Sequence, residues 1–137
     1  MNEIYIEAKL ENVDAVLDFV TEQLESGGRV SPCPPKIQSQ IEIAVDEIFS
    51  NIARYAYAPD VGGATVRVTV GSEITIEFED SGMQYNPLSE SAPDTTPPVS
   101  KRKIGGLGIF MVKNIMDSVE YRREGSKNIL TIKKVVG

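Results

Sequence analysis

Residues 36–56 read KIQSQIEIAVDEIFSNIARYA. Ile37, Ile41, Ala44, Val45, Ile48, Ile52 and Ala56 recur there at helical spacing, which predicts one long helix with a wide apolar stripe. Pro32, Pro34 and Pro35 stand just upstream and mark its start. A stripe that broad must be covered, so this is predicted to be the central helix of the domain.

On its N-terminal side, Ile4, Ile6, Ala8 and Leu10 alternate with Tyr5, Glu7 and Lys9, the pattern of a half-buried strand. The period then changes. Val13, Val16, Leu17, Val20 and Leu24 fit a helix from about Asn12, closed by Gly27-Gly28. On the C-terminal side, Ala64–Val70 alternates, Gly71-Ser72 turns the chain, and Ile74, Ile76 and Phe78 supply a second strand. From Leu88 to Ser100, Ser, Thr and Pro dominate and a core cannot be packed, which predicts a loop. Gly105-Gly106-Leu107-Gly108 opens a third helix with Ile109, Val112, Ile115 and Met116 facing inward. Ser118–Arg123 and Asn128–Val135 close the chain as strands about a turn at Glu124–Lys127.

The order β-α-α-β-β-loop-α-β-β lacks the strand–helix alternation of a doubly wound nucleotide fold. It predicts an α+β (broadly α/β) two-layer sandwich over residues 1–137, a mixed, mostly antiparallel sheet with three helices on one face. Composition narrows the chemistry. Fourteen Lys+Arg against twenty Asp+Glu leave −6, which argues against direct nucleic-acid binding, where phosphate contacts dominate. With no His and the single Cys33, histidine-based nucleophilic catalysis, thiolate zinc sites and an intrachain disulfide are excluded. No apolar run is long enough to span a membrane, and Met1-Asn2-Glu3 is no basic signal start, so a cytoplasmic setting is expected.

Three polar features stand out. On the long helix, Glu47 and Asn51 are one turn apart, with Gln40 and Arg54 projecting the same way beside the stripe. Asp46 and Glu42 fall on the opposite flank. Carboxylate, carboxamide and guanidinium in one row can build a Mg²⁺–phosphate site, although such a row is more often a solvated face. Asp80-Ser81-Gly82 ends a strand, where the Asp can accept an exocyclic amine and the Gly admits a base; alone it is more often a turn. Gly105–Gly108 at a helix start favours an anion, and Lys101, Arg102 and Lys103 just upstream can close over phosphates. Neither Walker-type nor dinucleotide-fold spacing is met. Ile43 and Phe110 fall off their stripes, and scattered apolar residues of that kind are ordinary.

Taken together, the three features resemble the anti-sigma-factor serine/threonine kinases of the histidine kinase-like ATPase (GHKL) superfamily. Val45–Asn51 resembles that family's E-x-x-x-N box, and Asp80–Pro87 (DSGMQYNP) resembles D-x-G-x-x-[FY]-[ND]-P. Gly105–Val112, running to Asp117, resembles the glycine box, and Thr131 matches a threonine near the adenine. The resemblance implies a Bergerat-type ATP-binding fold with ATP and Mg²⁺ as cofactors. It implies Asn51 as Mg²⁺ ligand, Glu47 as general base, Asp80 on the adenine amine and Gly82 admitting the base. Arg54, Gly105, Gly106, Leu107 and Gly108 would serve the phosphates, with residues 88–103 as a lid bearing Lys101, Arg102 and Lys103. Two positions depart from the pattern: Ile104 stands where some members carry Arg, and Tyr55 where many carry His.

The activity implied is phosphorylation of an anti-sigma-factor antagonist, coupled to sequestration of a sigma factor. The alternative is a nucleotide-gated binding switch without chemistry. Dimerisation is common in the resembling family, so a homodimer is admitted though no residue fixes it.

Overall fold

A computed structural model describes residues 2–26, 33–57, 60–84 and 104–136, with the backbone alone for 104–108. Among these residues the chain forms β1 (Asn2–Glu7), a 3₁₀ turn (Leu10–Asn12), α1 (Val13–Ser26) and α2 (Pro35–Asn51). A π-helical turn (Ile52–Ala56), β2 (Gly63–Thr69), β3 (Glu73–Asp80), α3 (Ile104–Ile115), β4 (Ser118–Glu124) and β5 (Lys127–Val135) follow.

The long helix begins at Pro35, whose fixed φ and missing N–H suit the first helical position. Of its stripe, Ile41, Ala44, Val45 and Ile48 are at most 2% exposed, while Ile37, Ile52 and Ala56 are partly buried; Phe49, outside the stripe, is buried as well. Val16, Val20 and Leu24 of α1 and Ile109 and Val112 of α3 join the same core. Each of the larger side chains among them contributes about 1.5–3 kcal/mol by burial.

The sheet runs β1-β2-β3-β5-β4. Every described pairing is antiparallel, so the parallel pair that a mixed sheet would contain is not found among these strands. Alternation sorts its faces. Ala64, Val66, Val68, Ile74, Ile76, Phe78, Leu130 and Ile132 face the helices and are buried in the core. The opposite face carries a charge ladder: Arg67 contacts Glu3, Glu77 and Glu79, while Lys127 reaches Glu79 and Arg122 reaches Glu77. The opening strand is shorter than its alternation suggests. β1 stops at Glu7, and Leu10 sits in the 3₁₀ turn, half exposed.

Among the described residues no helix is long and apolar enough to cross a membrane.

Candidate functional site

The C-terminal end of α2 and its π turn overlie the ends of β3, β5 and β4, and a cavity opens between them. It is lined by Ile48, Asn51, Ile52, Tyr55 and Ala56 above and by Phe78, Asp80, Met83, Tyr121, Asn128 and Leu130 below, with Ile109 of α3 at one side. With the space at its open mouth it measures about 460 Å³. A π turn widens the helical repeat locally, a distortion frequent at functional sites. Here Ile52, Tyr55 and Ala56 all come from it and reach the cavity.

Asp80 is the last residue of β3 and lies on the inner face by the alternation Ile74, Ile76, Phe78, Asp80. It is buried, and its Oδ1 accepts from the Gly82 N–H at 2.9 Å and from Asn128 Nδ2 at 2.9 Å. The first bond is the Asx-turn contact expected of Asp two residues before its donor. No described residue bonds Oδ2.

The turn that follows is clamped from both sides. Met83 N–H donates to the Ala56 carbonyl at 3.0 Å, and Tyr57 OH donates to Gly63 O at 2.6 Å while accepting from Ser81 N–H at 2.8 Å. Burial pushes the Tyr57 phenol up; the Ser81 hydrogen bond opposes this and the Asp80 charge adds to it, so the hydroxyl keeps its proton to donate. From the sheet side, Arg123 Nη1 donates to Gly82 O at 3.1 Å. A Cβ on Gly82 would lie 2.2 Å from Ala56 O. Glycine is therefore required by the seating of the turn against the helix end, a reason distinct from admitting a ligand.

Asn51 lies on the cavity wall, buried, and its Oδ1 has no hydrogen-bond partner among the described residues. Such an atom is costly unless something pairs with it. Glu47, one turn earlier, is half-buried and does not line the cavity. Burial pushes its carboxyl above the ordinary value, Asp46 adds to this and Arg54 opposes it. Arg54 thus stands in electrostatic reach of Glu47 but also off the cavity wall. Asp46 faces elsewhere, exposed and accepting from Ser50 Oγ at 3.0 Å.

Thr131 lies apart from this group. It pairs with Glu77 and Glu120 on the sheet face away from the helices, beneath the charge ladder, and does not reach the cavity. Its Oγ1 is buried there without a partner among the described residues. The β5 residue that meets Asp80 is Asn128, three positions earlier and on the other face. Alternation from the core residues Leu130 and Ile132 back to 128 carries that signal. Tyr121 and Arg123, which bond Asn128, also went unread in the sequence.

The glycine run occupies the first turns of α3, where its backbone is helical from Ile104. Lys101, Arg102, Lys103 and the expected lid at 88–103 lie outside the described residues.

A helical layer on an antiparallel sheet, with a buried carboxylate at a strand end and an orphaned carboxamide on the central helix lining one cavity, makes a ligand-binding domain. Residues 6–134 match the histidine kinase-like ATPase domain, and the chain belongs to that family. Among curated relatives it is similar to serine/threonine-protein kinase BtrW of Bordetella bronchiseptica, 25% identical over 100 residues that cover 71% of this chain and 70% of the relative. It is also similar to serine-protein kinase RsbW of Bacillus mycoides, 27% identical over 100 residues, covering 69% of this chain and 62% of that one. The chain thus spans less than two thirds of the RsbW length it matches. Among solved structures, the histidine kinase domain of a blue-light activated kinase from Erythrobacter litoralis superposes with a TM-score of 0.55 at 16% identity, covering 90% of this chain and 61% of that one. Acinetobacter baumannii histidine kinase AdeS gives 0.51 at 17% identity, covering 100% and 70%. At such identities the structural likeness concerns the fold.

Proposed function

We propose that the cavity binds ATP with Mg²⁺ and that the chain is a serine/threonine-protein kinase of the anti-sigma-factor type. The observation that carries this reading is Asn51 Oδ1, a buried, unpartnered oxygen on the wall of the cavity that Asp80 also lines.

Ile48, Phe78, Ile109 and Leu130 give the cavity apolar walls suited to the faces of a purine. Asp80 Oδ2 accepts the exocyclic amine of adenine. Asn51 Oδ1 is a hard oxygen donor, the kind Mg²⁺ takes alongside water and phosphate oxygens. Bound ATP supplies the phosphoryl group to be transferred. Glu47, with its carboxyl held above the ordinary value chiefly by burial, accepts the proton of an incoming Ser or Thr hydroxyl, and Arg54 balances the charge beside it. Gly105, Gly106, Leu107 and Gly108 offer backbone N–H groups at a helix N-terminus to the phosphates, and Lys101, Arg102 and Lys103 precede them in the sequence. Phosphoryl transfer is mostly positioning and charge neutralisation, which this set can provide.

The names of the sequence relatives support a kinase over a binding switch. The protein substrate in this reading is an anti-sigma-factor antagonist. A dianionic phosphate on its contact surface frees the kinase to hold a sigma factor, without direct nucleic-acid contact and in the cytoplasm. Calorimetry of ATP with and without Mg²⁺, on wild type and Asp80→Asn, tests the cavity. Wild-type binding that depends on Mg²⁺ and weakens at least about tenfold in the variant is expected. Transfer from labelled ATP to a candidate antagonist then separates kinase from switch: binding without transfer favours the switch.

A further inference from the structure

Asn128 is 6% exposed, and both ends of its side-chain amide are engaged. Oδ1 accepts from Tyr121 OH at 2.5 Å and from Arg123 Nη1 at 3.0 Å. Nδ2 donates to Asp80 Oδ1 at 2.9 Å and to Met83 O at 2.9 Å.

This arrangement has only one workable orientation. A flipped amide would point its NH₂ at the Arg123 guanidinium, which has no acceptor, and its oxygen at the Met83 carbonyl, which has no donor. Arg123 also holds Gly82 O, so the β4–β5 hairpin fixes both the carboxamide and the turn beside the carboxylate. Asp80 Oδ1 is consequently filled by two donors, Gly82 N–H and Asn128 Nδ2–H. Among the described residues only Oδ2 is left to meet a ligand, and as a carboxylate oxygen it accepts.

We propose that Asn128 is a positioning residue for nucleobase selection, locking Asp80 so that a single acceptor faces the cavity and a base bearing an amino group is chosen. The inference rests on the ATP reading above and extends it to a residue that acts through Asp80. A base with an oxo group at the same place would set oxygen against oxygen, and a base with hydrogen there would leave Oδ2 unpaired.

The test compares ATP with purine riboside triphosphate, which lacks the amine, both with Mg²⁺ and measured by calorimetry on the full chain. Wild type is expected to prefer ATP. In Asn128→Ala, ATP is expected to bind about tenfold more weakly, as befits a lost hydrogen bond to a charged group. Purine riboside triphosphate is expected to change by less than about twofold, so the preference collapses. Tyr121→Phe removes one donor to Asn128 and is expected to lower the preference by about two- to threefold; it decides the question if circular dichroism shows the alanine variant unfolded. Equal weakening of both nucleotides, or an unchanged preference in the variants, overturns the positioning role while leaving ATP binding in place. Wild-type protein that binds neither nucleotide overturns the ATP reading and this one together.

Discussion

The carbonyl oxygen of Ala56 stands 2.2 Å from the point where Gly82 would carry a Cβ, and the same oxygen accepts the Met83 N–H at 3.0 Å. The helix that supplies Asn51 and the turn that follows Asp80 therefore touch backbone to backbone. Neither can yield cheaply, because the obstacle is a carbonyl rather than the tip of a flexible side chain. Gly82→Ala is expected to lower stability by about 1–3 kcal/mol and to weaken nucleotide binding, read by urea melts and calorimetry. Unchanged values in both would mean that the turn and helix end separate freely.

Tyr57 ties that contact to β2. Its hydroxyl serves Gly63 O and Ser81 N–H at once, so Tyr57→Phe strands two backbone groups. A loss of about 1–2 kcal/mol is expected in denaturant unfolding, with the slope against denaturant unchanged.

For Glu47 the prediction concerns both pH and chemistry. Its folded-state carboxyl titrates above the ordinary value, chiefly through burial. The folded protein therefore holds that proton to higher pH than the unfolded chain, and stability falls as pH rises through this window. Glu47→Gln is expected to melt at or above the wild-type temperature at pH 7, with the gap closing below the unfolded carboxylate range. As the proposed base, its loss is expected to lower phosphate transfer by about 10²–10⁴-fold with ATP binding retained. Transfer at the wild-type rate would remove Glu47 from that role.

Glu79 runs the other way. Burial alone would raise its carboxyl, but hydrogen bonds and charge from Lys127 and Arg67 hold it below the ordinary value. Its contribution is present above the unfolded pKa and disappears as pH falls through the lowered folded one. Wild type is expected to melt above Glu79→Gln at pH 7, and the two curves are expected to merge in acid. High salt is expected to shrink the difference, since the ladder lies at the solvent face.

The helices, the strands and the family were legible because apolar period and three spaced motifs carry them along contiguous stretches. The alternation of Ile74, Ile76 and Phe78 continues to Asp80, so that residue's face could be read by counting. Asn128 obeys the same count from Leu130, yet it belongs to no motif and its meaning lies in partners 48 positions away. Thr131 is the complementary case, set on the sheet face away from the cavity. A match by residue type carries no information on strand parity, in which one step turns a side chain to the other face. The clamp on Gly82 could not be read either, because it depends on how a π turn seats against a loop remote in sequence.

The sheet order has a kinetic consequence. β2–β3 and β4–β5 are hairpins whose strands meet after short turns, whereas β3 finds β5 only across α3 and the segment before it. Closing that larger loop costs chain entropy before any contact rewards it, so docking of the two preformed hairpins is expected to be the slow step. The Asp80–Asn128 bond lies on this seam. A bound nucleotide would therefore act as a staple on the last-formed junction of the fold, and its main kinetic signature is expected to be slower unfolding rather than faster folding.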